Sequence, residues 1–138
     1  MAPTLQDAIE RLQYHARETS GIQVAPDNID LTSRNNTIFA WSFSKSGSFG
    51  VEAANQSRDI HDLVTQISIK GAEILSIELM SEGILETFVN KLRNDLNLNE
   101  TIQTIVFPIT YTISRTIEQT KSELTMEINT QVKIRGSF

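Results

Sequence analysis

Two histidines are the side chains of this sequence best suited to chemistry near neutral pH, because imidazole can act as a general base or as a metal ligand. His15 falls late in the first predicted helix, and His61 stands between Asp59 and Asp62, just before a predicted strand. Neither histidine belongs to a spacing typical of metal ligands. We therefore interpret both as solvated side chains.

The other reactive patterns favour no enzyme. The sequence has no H-E-x-x-H, Walker or G-x-G-x-x-G motif. Glu73, Glu78, Glu82 and Glu86 have the spacing of an exposed helical face, which suits solvated charges better than paired catalytic carboxylates. The run Gly47–Gly50 has the G-x-x-G form of a nucleic-acid clamp, but it falls in a predicted turn. We expect no catalytic site, no cofactor and no metal.

Three aromatic residues, Phe39, Trp41 and Phe43, share one face of a predicted strand. Such a row could stack on the bases of single-stranded nucleic acid. The basic residues are scattered along the chain, however, and the net charge is −5, so no basic groove is predicted. The pattern favours packing of these three rings in the core.

The composition is typical of one globular domain. A chain of 138 residues can bury a substantial core, and we predict a single domain over residues 1–138. The absence of cysteine excludes disulfides and thiolate metal sites. No apolar run approaches the roughly 20 residues of a membrane span, and Met1–Asp7 lacks the features of a signal peptide. We expect a soluble protein made in the cytoplasm.

The last third of the chain, Ile105–Ile134, predicts a long antiparallel hairpin. Large apolar residues occupy alternate positions in two runs, which indicates two strands that each have one buried face. These residues are Ile105, Phe107, Ile109, Tyr111 and Ile113, then Leu124, Met126, Ile128, Val132 and Ile134. The polar segment Ser114–Ser122 predicts an exposed tip. Pro108 cannot donate a ladder hydrogen bond, so it marks a bulge or an edge strand.

Two helices are predicted earlier in the chain. The first runs from Thr4, as the cap, to Glu18, and Gly21 ends it. The second helical region is Ala72–Leu96, where Ser81 and Gly83 predict a break in place of one straight helix. Both segments have apolar stripes at helical spacing.

Three further strands are predicted between the helices, after a surface loop at Ile22–Asn36. Thr37–Phe43 and Phe49–Ala53 are expected to pair as a short hairpin across a turn at Ser44–Ser48, and Leu63–Ile69 follows. The predicted fold is therefore α+β, with an antiparallel or mixed sheet of about five strands and two helices on one face.

Candidate interface residues follow from predicted exposure, because loops carry much of the binding in proteins. An ordinary solvated loop is the alternative for each group. The candidates are Arg115, Glu118 and Lys121 at the tip of the long hairpin, and Lys45, Ser46 and Gly47 in the short turn.

Several segments resemble small tail-terminator and head–tail joining proteins of tailed bacteriophages. The opening Thr4–Leu12, followed by Gly21 and the Ala25–Pro26 turn, is similar to the start of these proteins. Thr104–Ile113 resembles their penultimate strand, and Val132–Ile134 resembles the last strand. Size and element order also agree, although the second helical region lacks the proline-bearing segment of some members.

The resemblance implies a structural virion protein at the tail–neck junction. A homohexameric ring would cap the tail tube, end its polymerisation and join it to the neck or connector protein. Six copies of charge −5 would carry −30 in total, so DNA would pass through the lumen without specific binding. No membrane is implied.

Three alternatives remain at this point. Another neck protein or a tail-tube protein would share the same architecture. A small cytoplasmic ligand-binding domain could use the face of Phe39, Trp41 and Phe43. An enzyme would require His15 or His61 to lie in a pocket with acids.

Overall fold

The computed structural model describes residues 5–20, 30–31, 37–71, 74–118 and 121–137. This part of the chain forms two helices and six strands. In chain order they are α1 (Leu5–Ser20), β1 (Asp30–Leu31), β2 (Thr37–Ser48), β3 (Val51–Ala53), β4 (Gln56–Gly71), α2 (Ile74–Arg93), β5 (Thr104–Ile117) and β6 (Ser122–Ser137). The predicted α+β class is confirmed.

All described strand pairings in the sheet are antiparallel. The strand order is β1-β2-β4-β6-β5, and the short β3 also pairs with β4. The sixteen-residue strand β4 pairs with β6 along its whole length, from Gln56 opposite Ser137 to Gly71 opposite Ser122. The sheet is thus antiparallel, with β4 and β6 at its centre and β2 and β5 towards its two edges.

Both helices pack on the same face of the sheet, as predicted. The helix α1 lies mainly over β2, and α2 lies over β4 and β6. Side chains of both helices and of one face of the strands form a single core, which includes Leu12, Phe88, Leu63, Ile67 and Met126, all fully buried. Burial of this apolar surface is the main stabilising contribution to the fold.

The helix α1 agrees with its predicted apolar stripe. Ala8, Leu12 and Ala16 are completely buried against the core. The helix extends to Ser20, two residues beyond the predicted end. The predicted cap Thr4, the predicted stop Gly21 and the Ala25–Pro26 turn lie outside the described residues. Within the predicted loop Ile22–Asn36, the described part is the two-residue strand β1.

The predicted short hairpin between Thr37–Phe43 and Phe49–Ala53 is wrong. β2 continues to Ser48, and β2 and β3 both pair with β4, so they lie on the same side of that strand. The chain reverses at residues 54–55 instead, where Asn55 has a φ of 62°. Asparagine tolerates this left-handed conformation better than most residues.

The predicted break in the second helix is also wrong, because α2 runs unbroken for 20 residues. Ser81 is buried, and its hydroxyl donates to the backbone carbonyl of Glu78 at 2.8 Å, inside the helix. Gly83 is exposed and has open space around it, since a Cβ there would meet no atom within 4 Å. Burial of the stripe Ile77, Ile84 and Phe88 therefore outweighs the low helix propensity of one glycine.

The long hairpin of β5 and β6 is confirmed. The two strands pair from Ile117 opposite Ser122 to Thr104 opposite Lys133. The register shifts between Val106 and Thr110, around Pro108, on a strand at the edge of the sheet. Both predicted consequences of Pro108 are therefore observed. Neither described helix is long and apolar enough to cross a membrane.

Candidate interaction surfaces

Lys45, Ser46 and Gly47 lie in the edge strand β2, and not in the predicted turn. All three are exposed, but two of them make contacts within the sheet. The Ser46 hydroxyl donates to Asp62 Oδ2 at 3.1 Å. Gly47 packs against His61 so closely that a Cβ at Gly47 would lie 2.2 Å from the ring Nδ1. Lys45 lies at the register shift between Ser44 and Ser46, and its side chain is exposed at the surface.

Glu118 and Lys121 lie at the tip of the β5–β6 hairpin, on the opposite edge of the sheet from Lys45. Arg115 lies in β5 opposite Leu124 and not in the predicted tip, because the two strands pair as far as Ile117 and Ser122. Arg115 forms an ion pair with Glu78 of α2. The Glu118 backbone N–H donates to the Lys121 carbonyl at 2.9 Å, which closes the tip. The structure therefore separates the two predicted interface groups, one on each edge of the sheet.

The two open edges of the sheet run in opposite directions. From β2 through β4 and β6 to β5, each strand is antiparallel to its neighbour. β1 covers only Thr37 and Ile38 of β2, and the rest of that edge has no strand partner in the described chain. β5 likewise has no strand on its outer side among the described residues. Unpaired edges can pair with another strand, although the register shifts at Ser44–Ser46 and Val106–Thr110 interrupt both of these edges.

The aromatic row of Phe39, Trp41 and Phe43 lies on the sheet face away from the helices, so its predicted place in the core is wrong. Ile38 and Ala40, which alternate with these rings, point into the core instead. Consecutive ring centroids are 4.7 and 5.9 Å apart, and the rings are half-buried. No described element covers this face, so the row is a partly exposed aromatic strip.

The uncovered face beside the aromatic row is mixed, because the apolar Val64 pairs with Phe43 and polar side chains lie further along β4. Ser68 and Gln66 lie beside Phe39 and Trp41 on β4. On β6, Thr125 pairs with Ser68 and Glu127 pairs with Gln66, so the polar side chains continue across the sheet. This arrangement offers aromatic contact along one strand and hydroxyl, amide and carboxylate groups beside it.

Further apolar side chains are exposed on α2 and on the helix side of β5. Leu75 and Leu79 of α2 are each 73% exposed, and Tyr111 and Ile117 of β5 are 54% and 66% exposed. We call these four residues the β5 seam. The ion pair between Glu78 and Arg115 joins the two elements within it. Both described helices lie mainly over β2, β4 and β6, so these side chains of β5 stay exposed.

His15 is buried and lies beside an acid, so its predicted solvated state is wrong. Its Nε2 atom lies 2.6 Å from Asp95 Oδ2, and Arg11 Nε donates to the same oxygen at 3.0 Å. Burial alone would raise the pKa of Asp95, but the hydrogen bonds from His15, the Asn99 N–H and Arg11 together hold that pKa below its usual value. The group links α1 to the segment between α2 and β5.

The segment after Asp95 contains three consecutive left-handed residues. Leu98, Asn99 and Glu100 have φ values of 46°, 55° and 66°. Asp95 Oδ1 accepts from the Asn99 N–H at 2.8 Å, and the side chain of Leu98 is fully buried. These contacts stabilise a backbone that non-glycine residues adopt at a cost. A structural role accounts for the His15 and Asp95 pair.

His61 is likewise buried, at 2% exposure, and not solvated. Phe49 covers it with an edge-on ring contact at 4.8 Å between centroids, and Gly47 lies directly against it. Asp62 faces the opposite side of the sheet, because neighbouring residues of a strand alternate. Asp62 binds Ser46 and Gln131 there.

No cluster of three or more potential metal ligands occurs among the described residues. Sequence reasoning missed the β5 seam because it counted Tyr111 as a core residue and Leu75 and Leu79 as part of a helix apolar nearly all round. The number of predicted elements already indicated an uncovered surface, because two helices cannot cover the full width of the sheet. No protein-family model matches this chain, and no curated protein matches it in sequence.

Proposed function

We propose that this chain is a non-catalytic structural protein of a virion that assembles into a ring. The observation that supports this most directly is the pair of open sheet edges, β2 and β5, which run in opposite directions. A second copy set beside the first in the same orientation continues the antiparallel alternation. Repetition of one such contact closes into a ring when the rotation between copies permits.

The proposed role is that of a tail terminator of a tailed bacteriophage, in line with the sequence resemblance. A homohexamer would cap the tail tube, end its polymerisation and bind the neck or connector protein. The net charge of −5 per copy disfavours retention of DNA that passes through the ring.

Electron microscopy of lysates from a virus that lacks this gene tests the proposal. We expect overlong tails beside full, unjoined heads, because nothing would stop growth of the tube. Tails of normal length beside unjoined heads would instead indicate that the protein belongs to the neck. Formation of filaments by the purified chain would favour a tail-tube component. Normal virions would contradict every role in the virion.

A small ligand-binding domain is the second candidate, and the exposed aromatic strip favours it. Trp41 is the sole tryptophan of the chain, so its fluorescence reports on the strip alone. A monomeric protein whose tryptophan emission shifts on addition of a ligand would support this candidate. A Phe39→Leu variant that keeps its fold and its tryptophan emission but loses the ligand-induced shift would serve as the control, because Phe39 packs against Trp41.

A further inference from the structure

The β5 seam borders an acidic stripe on α2. Glu78, Glu82 and Glu86 follow Leu75 by 3, 7 and 11 residues, which are spacings that return to the same side of a helix. Glu82 and Glu86 are exposed. This side of α2, opposite the buried Ile77 and Ile84, therefore presents leucines and carboxylates together, and Glu78 at its margin pairs with Arg115 of β5.

The opposite edge of the molecule carries two cations, Arg17 on α1 and Lys45 on β2, although the exposed Glu10 shares the side of α1 on which Arg17 lies. Gln13 of α1 donates to the backbone carbonyl of Ser42 at 3.5 Å, so this side of α1 faces the β2 edge. Arg17 lies one helical turn beyond Gln13 and therefore on the same side. Lys45 is exposed on β2 itself. Two cations thus flank the edge that lies farthest from the glutamates.

We infer that a second copy of this chain occupies the β5 seam, with its β2 edge beside β5 and its α1 helix beside α2. This inference rests on the proposed ring and names the surfaces that would form it. Arg17 and Lys45 of one copy would approach Glu82 and Glu86 of the next. The leucines and Tyr111 of the seam would lose contact with water, which favours association.

A second copy fits this surface because the two halves of the contact differ and lie on one chain. A free strand edge pairs with another strand, and the complementary edge is available on every copy. The contact is head-to-tail, so each copy uses one surface for each of its two neighbours. An isologous dimer would instead bring two identical seams, and hence two acidic stripes, together.

Two surface variants test the contact. L75Q/L79Q removes the apolar part of the seam, and R17E/K45E reverses the charge of the opposite edge. Sedimentation velocity over a concentration series should show self-association at least about tenfold weaker in each variant than in the native chain. Leu96, 47% exposed in the segment between α2 and β5, provides the matched control L96Q, which should assemble normally. Circular dichroism checks that all three variants fold.

Mixing the variants distinguishes the proposed contact from others. L75Q/L79Q keeps an intact β2 edge, and R17E/K45E keeps an intact seam. An equimolar mixture should therefore form a one-to-one dimer that grows no further. Native-like assembly of either variant alone, a mixture that stays monomeric, or a native chain that stays monomeric would each overturn the inference. The lysate phenotype is independent of these results, so a ring formed through other surfaces would leave the proposed function intact.

Discussion

The Nε2 atom of His15 lies 2.6 Å from Oδ2 of Asp95, and this pair fixes α1 to the segment that leads into β5. The two residues are 80 positions apart in the chain. Arg11 donates to the same carboxylate oxygen, and the Asn99 N–H donates to the other. The carboxylate of Asp95 therefore accepts hydrogen bonds both from α1 and from the left-handed turn that follows α2.

Asp95→Asn should destabilise the protein by about 1–3 kcal/mol at neutral pH, because charged hydrogen-bond acceptors contribute more than neutral ones. The folded-state pKa of Asp95 is lowered from its usual 3.8. A lowered carboxyl pKa stabilises the fold above the unfolded value, and that contribution is lost as the pH falls through the folded value. Urea unfolding between pH 6 and pH 2 should show this loss in the native chain. An equal loss in Asp95→Asn would contradict the prediction.

Gly47→Ala should destabilise the protein by about 1–3 kcal/mol, because the added Cβ would meet the His61 ring at 2.2 Å and the Ile60 carbonyl at 2.8 Å. Thermal unfolding measures the change. The double variant Gly47→Ala/His61→Ala removes the ring. Its loss of stability should therefore be smaller than the sum of the losses in the two single variants. Simple additivity would show that the two positions do not interact.

Gly83→Ala should stabilise the protein by about 0.5–1 kcal/mol, because alanine has the higher helix propensity and the site has room for a Cβ. Chemical denaturation of the two forms gives the difference. A loss of stability would indicate that α2 is not continuous through residue 83.

Arg115→Glu/Lys121→Glu should weaken assembly and leave the monomer folded. The first change places two acids together, since Arg115 pairs with Glu78. The pair is partly exposed, so its contribution to monomer stability is at most about 1 kcal/mol. Adding Glu78→Arg restores opposite charges at that pair and serves as the control. If the double variant assembles as well as the native chain, the hairpin tip is not part of the interface.

The alternation of apolar residues predicted β5 and β6 because polar residues occupy the intervening positions of β6. The same rule failed for β2, where both faces are apolar. Ile38 and Ala40 enter the core, and the larger Phe39 and Trp41 do not. The helix α1 packs over this face of β2, and its Ala8 and Ala16 are completely buried in the core that Ile38 and Ala40 enter. A prediction based on the size of the aromatic rings therefore assigned the wrong face of β2 to the core.

The surroundings of the two histidines could not be predicted from neighbouring residues. His15 binds Asp95, which the sequence places in a distant turn. His61 is covered by Gly47 and Phe49, which were predicted to lie in a separate hairpin. In both cases the environment is set by tertiary contacts, and local charge carries no information about them.

The full-length pairing of β4 with β6 has a consequence for folding. Gln56 pairs with Ser137, and Gly71 pairs with Ser122, so every contact in the centre of the sheet closes a long loop of chain. Such non-local pairing slows folding. We expect the β2–β4 and β5–β6 hairpins to form first and to dock afterwards along the β4–β6 boundary. During synthesis β4 would then expose an unpaired edge until β6 emerged, and aggregation would compete with folding in that interval.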